Sequence, residues 1–430
     1  MCLCTILDGQ PIPLKTEERF LGAFVSYKRQ RAKTRLSRTL KECQQLCARI
    51  QMTQLPLEVR ATLVASLVVP KATYASAAGA STNKDLSTLR AACARAIWGQ
   101  GNSWRACEIL FTLFSKGHLC DPIQADAYSA LRVSRQVLQR HPSLWPLFDD
   151  VFERRKWADE CPRTGGPVAA LLQACRTARI DMPNASFLRT YNQEGEAKDM
   201  PLLTSERGKF EHFVREALRD EQYWRLDMRR AGFDQTRKGI NRKATLDLQS
   251  KLPGLQKYQW RCVLSGAIGT MKRCHKKGWV DSPLCPACGE EEEDERHIFD
   301  VCRTYAPVRH REVPEDLWQA LPDCLRLRGL VPADLRVTEA PIEEQTADLA
   351  GLAGTVQYTL LDILEARRAH LPATMHPQPR WQRQVRRRID EGAPEVRPRA
   401  VARPPLRPGR GGGIFVAGGQ LRTVFGEHLR

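Results

Sequence analysis

Three cysteines and one histidine in this chain have the spacing of a metal site. The frame is Cys-x2-Cys-x8-His-x4-Cys, formed by Cys285, Cys288, His297 and Cys302. Two cysteines separated by two residues can turn both sulfur atoms toward one point, and we expect a His and a Cys five positions apart on a short helix to share nearly the same face. Three thiolates and one imidazole complete a tetrahedral Zn²⁺ shell with no position left for water, so the frame predicts a structural zinc knuckle.

The residues between these four ligands have their own signals. Gly289, directly after the second Cys, suits a turn that needs positive φ or a close backbone approach. An unbroken acidic run then occupies positions 290–295, which we interpret as a solvated loop that does not lie against phosphates. The alternative interpretation is a chance spacing of common residue types in a chain with 15 cysteines. Cys274 and His275 are weaker ligand candidates, because their spacing to Cys285 fits a zinc site less well.

Length, cysteine distribution and hydropathy exclude several protein classes. At 430 residues the chain is long enough for roughly two or three domains, so it needs no disulfide scaffold to fold. Its cysteines are odd in number and scattered, and no secretory signal segment precedes them, which predicts an intracellular location, nuclear or cytoplasmic. No apolar run approaches the ~20 residues of a transmembrane helix, so we expect a soluble protein without membrane contact.

The net charge of +18 is unevenly distributed and favours nucleic acid as a partner. No acidic residue occurs between Glu18 and Glu42. The cations of that segment that we predict to contact phosphates are Lys28, Arg29, Arg31, Lys33, Arg35, Arg38 and Lys41. A second predicted set directly precedes the zinc frame: Lys272, Arg273, Lys276 and Lys277. Both sets would bind RNA or DNA through the phosphate backbone, and the alternative is a plain exposed basic face.

The C-terminal segment is rich in Arg, Pro and Gly. Residues 376–430 carry twelve Arg, no Lys and four acidic groups, with too few apolar groups to offset the entropy of the chain. We therefore predict a disordered basic tail, which would be either a phosphate-binding arm or a solubilising segment.

Hydrophobic periodicity and capping signals predict a mainly α fold with a short N-terminal β-hairpin. The hairpin is expected from two short strands around a turn, the second strand at 20–27. Predicted helices span 33–51, 57–68, 82–98, 122–140, 144–158, 168–179, 205–231, 317–328 and 343–370. Residues 181–201 are polar and turn-rich, and we assign them to a linker.

The order of these landmarks resembles the C-terminal part of non-LTR (LINE-type) retrotransposon reverse transcriptases. The segment Phe20-Leu21-Gly22 looks like the primer-grip hairpin of that family, and the helices after it look like the thumb. Further similarities are Leu55-Pro56, the turn at Pro70, Leu89-Arg90, Ala96-Ile97-Trp98-Gly99, Ser265-Gly266, Lys277-Gly278, Asp281-Ser282 and His297-Ile298-Phe299. The resemblance is strongest at the knuckle and implies a zinc-binding, nucleic-acid-binding protein.

The chain departs from the family at the catalytic palm. In the family, aspartates of a Tyr/Phe-x-Asp-Asp turn upstream of the primer grip bind two metal ions. Here the residues before Phe20 include one Asp, Asp8, and the adjacent pair Asp149-Asp150 lacks the aromatic residue two places before it and is predicted to be helical. We therefore expect no polymerase active site and no enzyme activity.

Some relatives carry a nuclease site after the knuckle, in which an acidic pair and a lysine surround a metal ion. Candidate acids are present at Glu315, Asp316, Asp323 and Asp334. Such a site also needs a lysine, and no lysine follows Lys277. An arginine does not readily replace it, because its planar, permanently charged guanidinium differs from a compact ammonium group.

The combined prediction is a truncated protein whose palm is missing. We divide it into a primer-grip-like hairpin remnant (1–30), a helical thumb-like domain (31–160), a linker (161–203), a helical region leading to the knuckle (204–280), the CCHC zinc knuckle (281–305), C-terminal helices (306–372) and the disordered basic tail (373–430). Two alternatives stay open: a non-functional or purely structural gene fragment, and a fragment of an RNA-directed DNA polymerase that acts with a separately encoded palm.

Overall fold

In a computed structural model of the protein, the described residues are 6–7, 10–11, 17–20, 23–26, 35–74, 76–78, 81–99, 104–156, 166–192, 195–335 and 342–372. They form a mainly α-helical fold with short antiparallel sheets, which confirms the predicted fold class at this level. The predicted basic tail, 373–430, lies outside the described residues. Within the described ranges, no helix combines the length and the apolar character that crossing a lipid bilayer requires.

Two short antiparallel strand pairs precede the first helix. They are β1 (Ile6–Leu7) with β2 (Gln10–Pro11), and β3 (Glu17–Phe20) with β4 (Ala23–Ser26). The second pair aligns Glu17 with Ser26 and Phe20 with Ala23. Short antiparallel pairing near the N-terminus is therefore present, but the strand predicted at 20–27 is wrong, because Phe20 ends one strand, Ala23 begins the next, and these two strands pair with each other.

The next block consists of helices that follow one another closely. They are α1 (Arg35–Met52), α2 (Leu57–Leu63), α3 (Val69–Thr73), α4 (Asn83–Trp98), α5 (Cys107–Thr112), α6 (Gly117–Cys120), α7 (Pro122–Arg140) and α8 (Trp145–Lys156). Local signals define both ends of α4: the Thr82 side chain accepts a hydrogen bond from the Asp85 N–H at 3.2 Å, and Gly99 ends the helix with φ of 93°.

Pro70 does not end the second predicted helix. Helical backbone continues through a π-helical turn, Val64–Val68, into α3. Pro70 lies in the first turn of α3, where its missing N–H leaves no intrahelical bond unmade. The π-helical turn before α3 is wider than an α-helical turn, and such turns allow a helix to continue past a proline. The predicted boundary is therefore wrong by about a helical turn.

The predicted linker at 161–203 is folded over most of its described part. It contains α9 (Pro167–Ala178) and a three-stranded antiparallel sheet of β5 (Asp181–Asn184), β6 (Phe187–Tyr191) and β7 (Ala197–Pro201), followed by α10 (Arg207–Arg229). Each strand is mostly exposed and buries few apolar side chains, such as Met182 and Leu188. These side chains pack in one cluster with α7, α9 and α10. Because β5 and β6 each bury one side chain and β7 buries none, no alternation of buried and exposed residues marked the sheet in the sequence.

A second core cluster joins the early helices to the C-terminal region. The remaining helices are α11 (Arg242–Lys251), α12 (Gly254–Ser265), α13 (Met271–His275), α14 (Ala306–Arg309), α15 (Glu315–Ala320), α16 (Asp323–Arg326) and α17 (Ile342–Arg368). The helix predicted at 317–328 is wrong in that it is two helices, because Pro322 interrupts it. Cys285 and Phe299 of the predicted knuckle lie in the same cluster as Leu360 of α17, so the knuckle is built into the core of the surrounding helices.

Candidate metal centre and basic surface

The four residues of the predicted zinc frame converge. One donor atom from each of Cys285, Cys288, His297 and Cys302 lies within 4.8 Å of all the others. The Sγ atoms of Cys285 and Cys302 are 3.9 Å apart, and Sγ of Cys288 is 3.4 Å from Nε2 of His297. A tetrahedral zinc shell with Zn–S of about 2.3 Å and Zn–N of about 2.0 Å separates two sulfurs by about 3.8 Å and sulfur from nitrogen by about 3.5 Å. The cluster could therefore hold a metal ion, and its donor set is consistent with zinc.

A tight backbone turn positions the first two cysteines. The Cys285 N–H donates to the Glu291 carbonyl at 2.8 Å, and the Gly289 N–H donates to the Cys285 carbonyl at 2.8 Å. Gly289 has φ of 74°, as predicted, and no heavy atom lies within 4 Å of the place where a Cβ would be. Glycine is therefore needed here for its backbone conformation and not for space.

A π-helical turn, His297–Val301, positions the other two ligands. An α-helix advances by about 100° per residue, so residues five apart would diverge by about 140°. In the π turn the Cys302 N–H instead donates to the His297 carbonyl at 2.8 Å. This i→i+5 bond brings Cys302 back beside His297. The predicted short helix is present, but its π geometry, and not a shared α-helical face, joins His297 to Cys302. Asp294 precedes the short helical segment that leads into this turn, and its side chain accepts from the His297 N–H at 2.9 Å.

Glu291 orients the imidazole of His297. Its Oε2 lies 3.0 Å from Nδ1 of His297. A carboxylate only accepts hydrogen bonds, so Nδ1 carries the hydrogen and the lone pair of Nε2 is directed toward the cysteine sulfurs. Histidine ligands of metals are commonly held by a carboxylate in this manner. The sequence analysis missed this residue, although its place between the second and third ligands was the available signal.

The two cysteines of the first pair, Cys285 and Cys288, differ in the pKa of their thiol groups. Burial raises the pKa of the Cys285 thiol to about 12. Burial also acts to raise the pKa of Cys288, but the backbone N–H of Glu291 and the neighbouring Cys285 and His297 outweigh it and lower that pKa. A buried thiol such as Cys285 becomes a thiolate only beside a strong positive charge, which a bound metal cation supplies. The chemistry of the donor set therefore fits a metal ion.

The acidic run is only in part the solvated loop that we predicted: positions 290–292 are exposed, but Glu293 and Glu295 are buried. Glu293 is fully buried, and its carboxylate accepts from Arg367 Nε at 2.9 Å and from the Met271 N–H at 2.8 Å. Glu295 is 7% exposed and binds Arg273 and Arg328. These carboxylates tie the knuckle to α13, the segment after α16, and α17. Two positions of the run, 293 and 295, thus face the core, which six like charges in sequence cannot reveal.

The predicted phosphate-contacting residues of the N-terminal set are only partly described. Lys28, Arg29, Arg31 and Lys33 lie outside the described residues. Arg35 and Arg38 belong to α1, but the described part of the chain does not include their side chains. Lys41, also in α1, is exposed. The proposed contacts of this set with nucleic acid stay a prediction.

The second predicted set lies next to the metal centre and divides into two kinds of residue. Arg273 donates to both Glu295 oxygens and to the carbonyls of Gly266 and Ile268, so its guanidinium is engaged in the fold. Lys272 lies 2.8 Å from a Glu292 carboxylate oxygen. Lys276 and Lys277 are exposed, and no carboxylate within the described residues lies within 4.0 Å of either ammonium group. These two lysines are available to an external anion.

Trp279 is a surface residue that the sequence analysis did not select. Its side chain is 60% exposed, an unusual state for tryptophan, and its ring lies 5.8 Å from the ring of Trp104 between centroids. Gly278 directly before it has φ of 67°, and the Trp279 N–H donates to the Cys274 carbonyl at 3.0 Å. The turn after α13 therefore presents Lys276, Lys277 and an aromatic face together.

The weaker sequence candidates do not join the cluster. Cys274 is buried and His275 is exposed, and neither belongs to the group of convergent donors. Asp149 and Asp150 lie in α8, as predicted, where Asp150 pairs with Arg154 one turn later. Among the residues that the structure describes, the Cys3His group alone brings three or more His, Cys, Asp or Glu donors close enough to hold a metal ion.

Removal of the Glu291 carboxylate tests its role in orienting His297. We expect Glu291→Ala to weaken zinc binding by about 10- to 100-fold, because the imidazole loses the partner that fixes its tautomer and direction. Competition with a chromophoric zinc chelator measures this affinity. Glu290→Ala is the matched control, since Glu290 pairs with Arg303 and with no ligand. Equal zinc affinities of the two variants would contradict the assignment.

Comparisons of this chain with protein-family models, with curated proteins and with solved structures find no match.

Proposed function

We propose that this protein binds nucleic acid through a surface that a structural Zn²⁺ site holds in place, and that it is related to the C-terminal part of non-LTR retrotransposon reverse transcriptases. The single observation that carries the proposal is the exposed Trp279 beside Lys276 and Lys277, which have no carboxylate partner in the described part of the chain. The proposed protein acts by binding, without polymerase chemistry of its own.

The metal centre would act as a cross-link within the chain. Cys285, Cys288, His297 and Cys302 would hold Zn²⁺, which joins the turn of the first two ligands to the π turn of the other two. The backbone between the two turns includes Glu293, whose backbone carbonyl accepts from the Lys272 N–H at 3.1 Å. Its side chain accepts from the neighbouring Met271 N–H. The position of the first turn of α13 thus depends on the segment between the ligands.

The surface that follows α13 has the chemistry of a single-strand binding site. An exposed aromatic ring offers a face on which a base can stack, and stacking of this kind is worth about 1–3 kcal/mol per base. Lys276 and Lys277 lie three and two positions before Trp279, close enough in sequence to contact phosphates that flank a stacked base. Neither contact reads a base edge, so the expected binding has little sequence preference.

Fluorescence anisotropy of the full chain with a labelled single-stranded RNA tests the surface. We expect Trp279→Ala to weaken binding about tenfold, because a stacking face is lost, and Trp279→Phe to restore most of the affinity. The double variant Lys276→Gln/Lys277→Gln should reduce the slope of log K against log salt by about 1.4, since each lysine neutralises one phosphate of a single strand.

The control replaces two lysines that carboxylates already neutralise. Lys209 pairs with Glu206 and Lys251 pairs with Asp247, so Lys209→Gln/Lys251→Gln should leave the salt slope unchanged. The absence of binding to single-stranded RNA, structured RNA and an RNA–DNA hybrid at about 50 mM salt would refute the proposed function.

A further inference from the structure

A cavity of about 530 Å³ opens between α6, α10 and the start of α11, and neither the metal centre nor the proposed nucleic-acid surface includes it. Four permanent cations line it: Lys116, Arg215, Arg219 and Arg242. Lys116 precedes α6, Arg215 and Arg219 are one turn apart on α10, and Arg242 is the first residue of α11. Three separate segments therefore bring like charges to one concave site.

Only one of these cations is neutralised nearby. Arg219 pairs with Glu216, with Nη1 2.7 Å from Oε1, and Glu216 is the carboxylate that lines the cavity. Within the described ranges, no carboxylate lies within 4.0 Å of the charged groups of Lys116, Arg215 or Arg242. Like charges that converge without partners repel each other. An anion bound in the cavity attracts each of these cations and so offsets their mutual repulsion.

The remaining polar groups of the cavity suit hydrogen bonding to an anion. Burial first, then the positive charges of Arg215, Lys116 and Arg219, lower the pKa of His118 to about 4, so this imidazole is neutral at pH 7 and offers one N–H donor. Its ring also packs edge-on against Tyr128 at 5.1 Å between centroids. Ser115 and Gln124 also line the wall, but the Ser115 hydroxyl donates to the Leu110 carbonyl at 3.0 Å and the Gln124 amide donates to Asp121 at 3.2 Å, so the site depends on the cations and His118 for its donors. Guanidinium groups with such neighbours match the geometry of phosphate oxygens.

We propose that this cavity is a binding site for a phosphate group that carries two or more negative charges or belongs to a phosphodiester chain. Arg215 and Arg242 donate paired N–H groups to the phosphate oxygens, and Lys116 contributes an ammonium group at the rim. The volume of about 530 Å³ exceeds what one phosphate needs, so the site accepts the phosphate together with part of the molecule that carries it.

Isothermal titration calorimetry of the zinc-loaded full chain with inorganic pyrophosphate tests the site. We expect saturable binding at one site per chain for the wild-type protein. Arg215→Gln and Lys116→Gln should each raise the Kd at least about tenfold. Arg215→Lys should raise the Kd by a smaller factor, because lysine keeps the positive charge but not the paired N–H donors. Because Lys116 is exposed, its substitution should not disturb folding. The Lys116 variant therefore still tests the site if the Arg215 substitution in α10 destabilises the protein.

The matched control removes one positive charge from an exposed arginine that does not line the cavity. Arg176, in α9, is such a residue, and Arg176→Gln should leave the Kd for pyrophosphate unchanged. A wild-type protein that binds no pyrophosphate, or an equal loss in Arg176→Gln, would overturn the proposal.

A competition experiment distinguishes which kind of molecule carries the bound phosphate group. Displacement of pyrophosphate by a short single-stranded oligonucleotide supports a nucleic-acid backbone as the ligand. Failure of the oligonucleotide to displace it supports a small phosphorylated molecule. Because this cavity excludes Trp279, Lys276 and Lys277, loss of the proposed nucleic-acid surface leaves pyrophosphate binding intact, and the two proposals fail separately.

Discussion

A Cys285→Ala variant is expected to lose the single zinc ion that we propose for the wild-type chain, and to lose the cooperative unfolding of its C-terminal helices. The Cys285 side chain is 1% exposed and belongs to the core cluster that includes α17. Structural zinc sites of this kind contribute on the order of 10 kcal/mol, which is comparable to the whole free energy of unfolding of a domain. Elemental analysis of the purified protein gives the stoichiometry, and urea unfolding with and without a chelator gives the stability.

Cys274→Ala is the control for this experiment. Cys274 is also buried, at 3% exposed, and lies close to the knuckle in sequence, but it is outside the convergent donors. We expect this variant to retain one zinc ion per chain and to lose only the packing of a single sulfur atom. If Cys285→Ala keeps its zinc and its unfolding midpoint, the four residues do not form a structural metal centre.

The second large effect is expected from Arg367→Met, which should lower the free energy of unfolding by about 3–5 kcal/mol. Arg367 is 5% exposed and donates to the buried Glu293 and to the Gly269 carbonyl at 2.9 Å. The variant leaves the Glu293 carboxylate without its cationic partner in a buried environment, which is strongly unfavourable. Urea unfolding followed by tryptophan fluorescence measures the change.

Arg368→Met provides a closely matched comparison. Arg368 is the next residue of α17, is partly exposed and lies 3.7 Å from Glu365, one turn earlier. Exposed pairs of this kind contribute less than about 1 kcal/mol, so this variant should be nearly as stable as the wild type. The double variant Arg367→Met/Glu293→Leu should recover part of the loss, because no isolated buried charge remains. Equal effects of the two single arginine variants would show that the Arg367–Glu293 pair does not hold α17 to the knuckle.

The sequence by itself determined the donor set of the metal centre and most helices. All four ligands fall within 18 residues, so their spacing is a local property that periodicity and turn chemistry expose. The helices α4 and α7 were predicted within a residue of their observed ends, because hydrophobic periodicity and capping signals are also local. The turn with positive φ at Gly289 was predicted for the same reason, because it depends on neighbouring residues in the sequence.

Only the tertiary structure decided what surrounds that centre. Glu293 and Arg367 are 74 residues apart, and Glu295 and Arg328 are 33 residues apart, so no local pattern links them. The same holds for the cavity around Arg215 and for the sheet at 181–201, whose strands each bury few apolar side chains. Spacing along a chain fixes which side chains can share one turn, but the pairing of distant charges depends on how helices pack, and composition alone does not specify that packing.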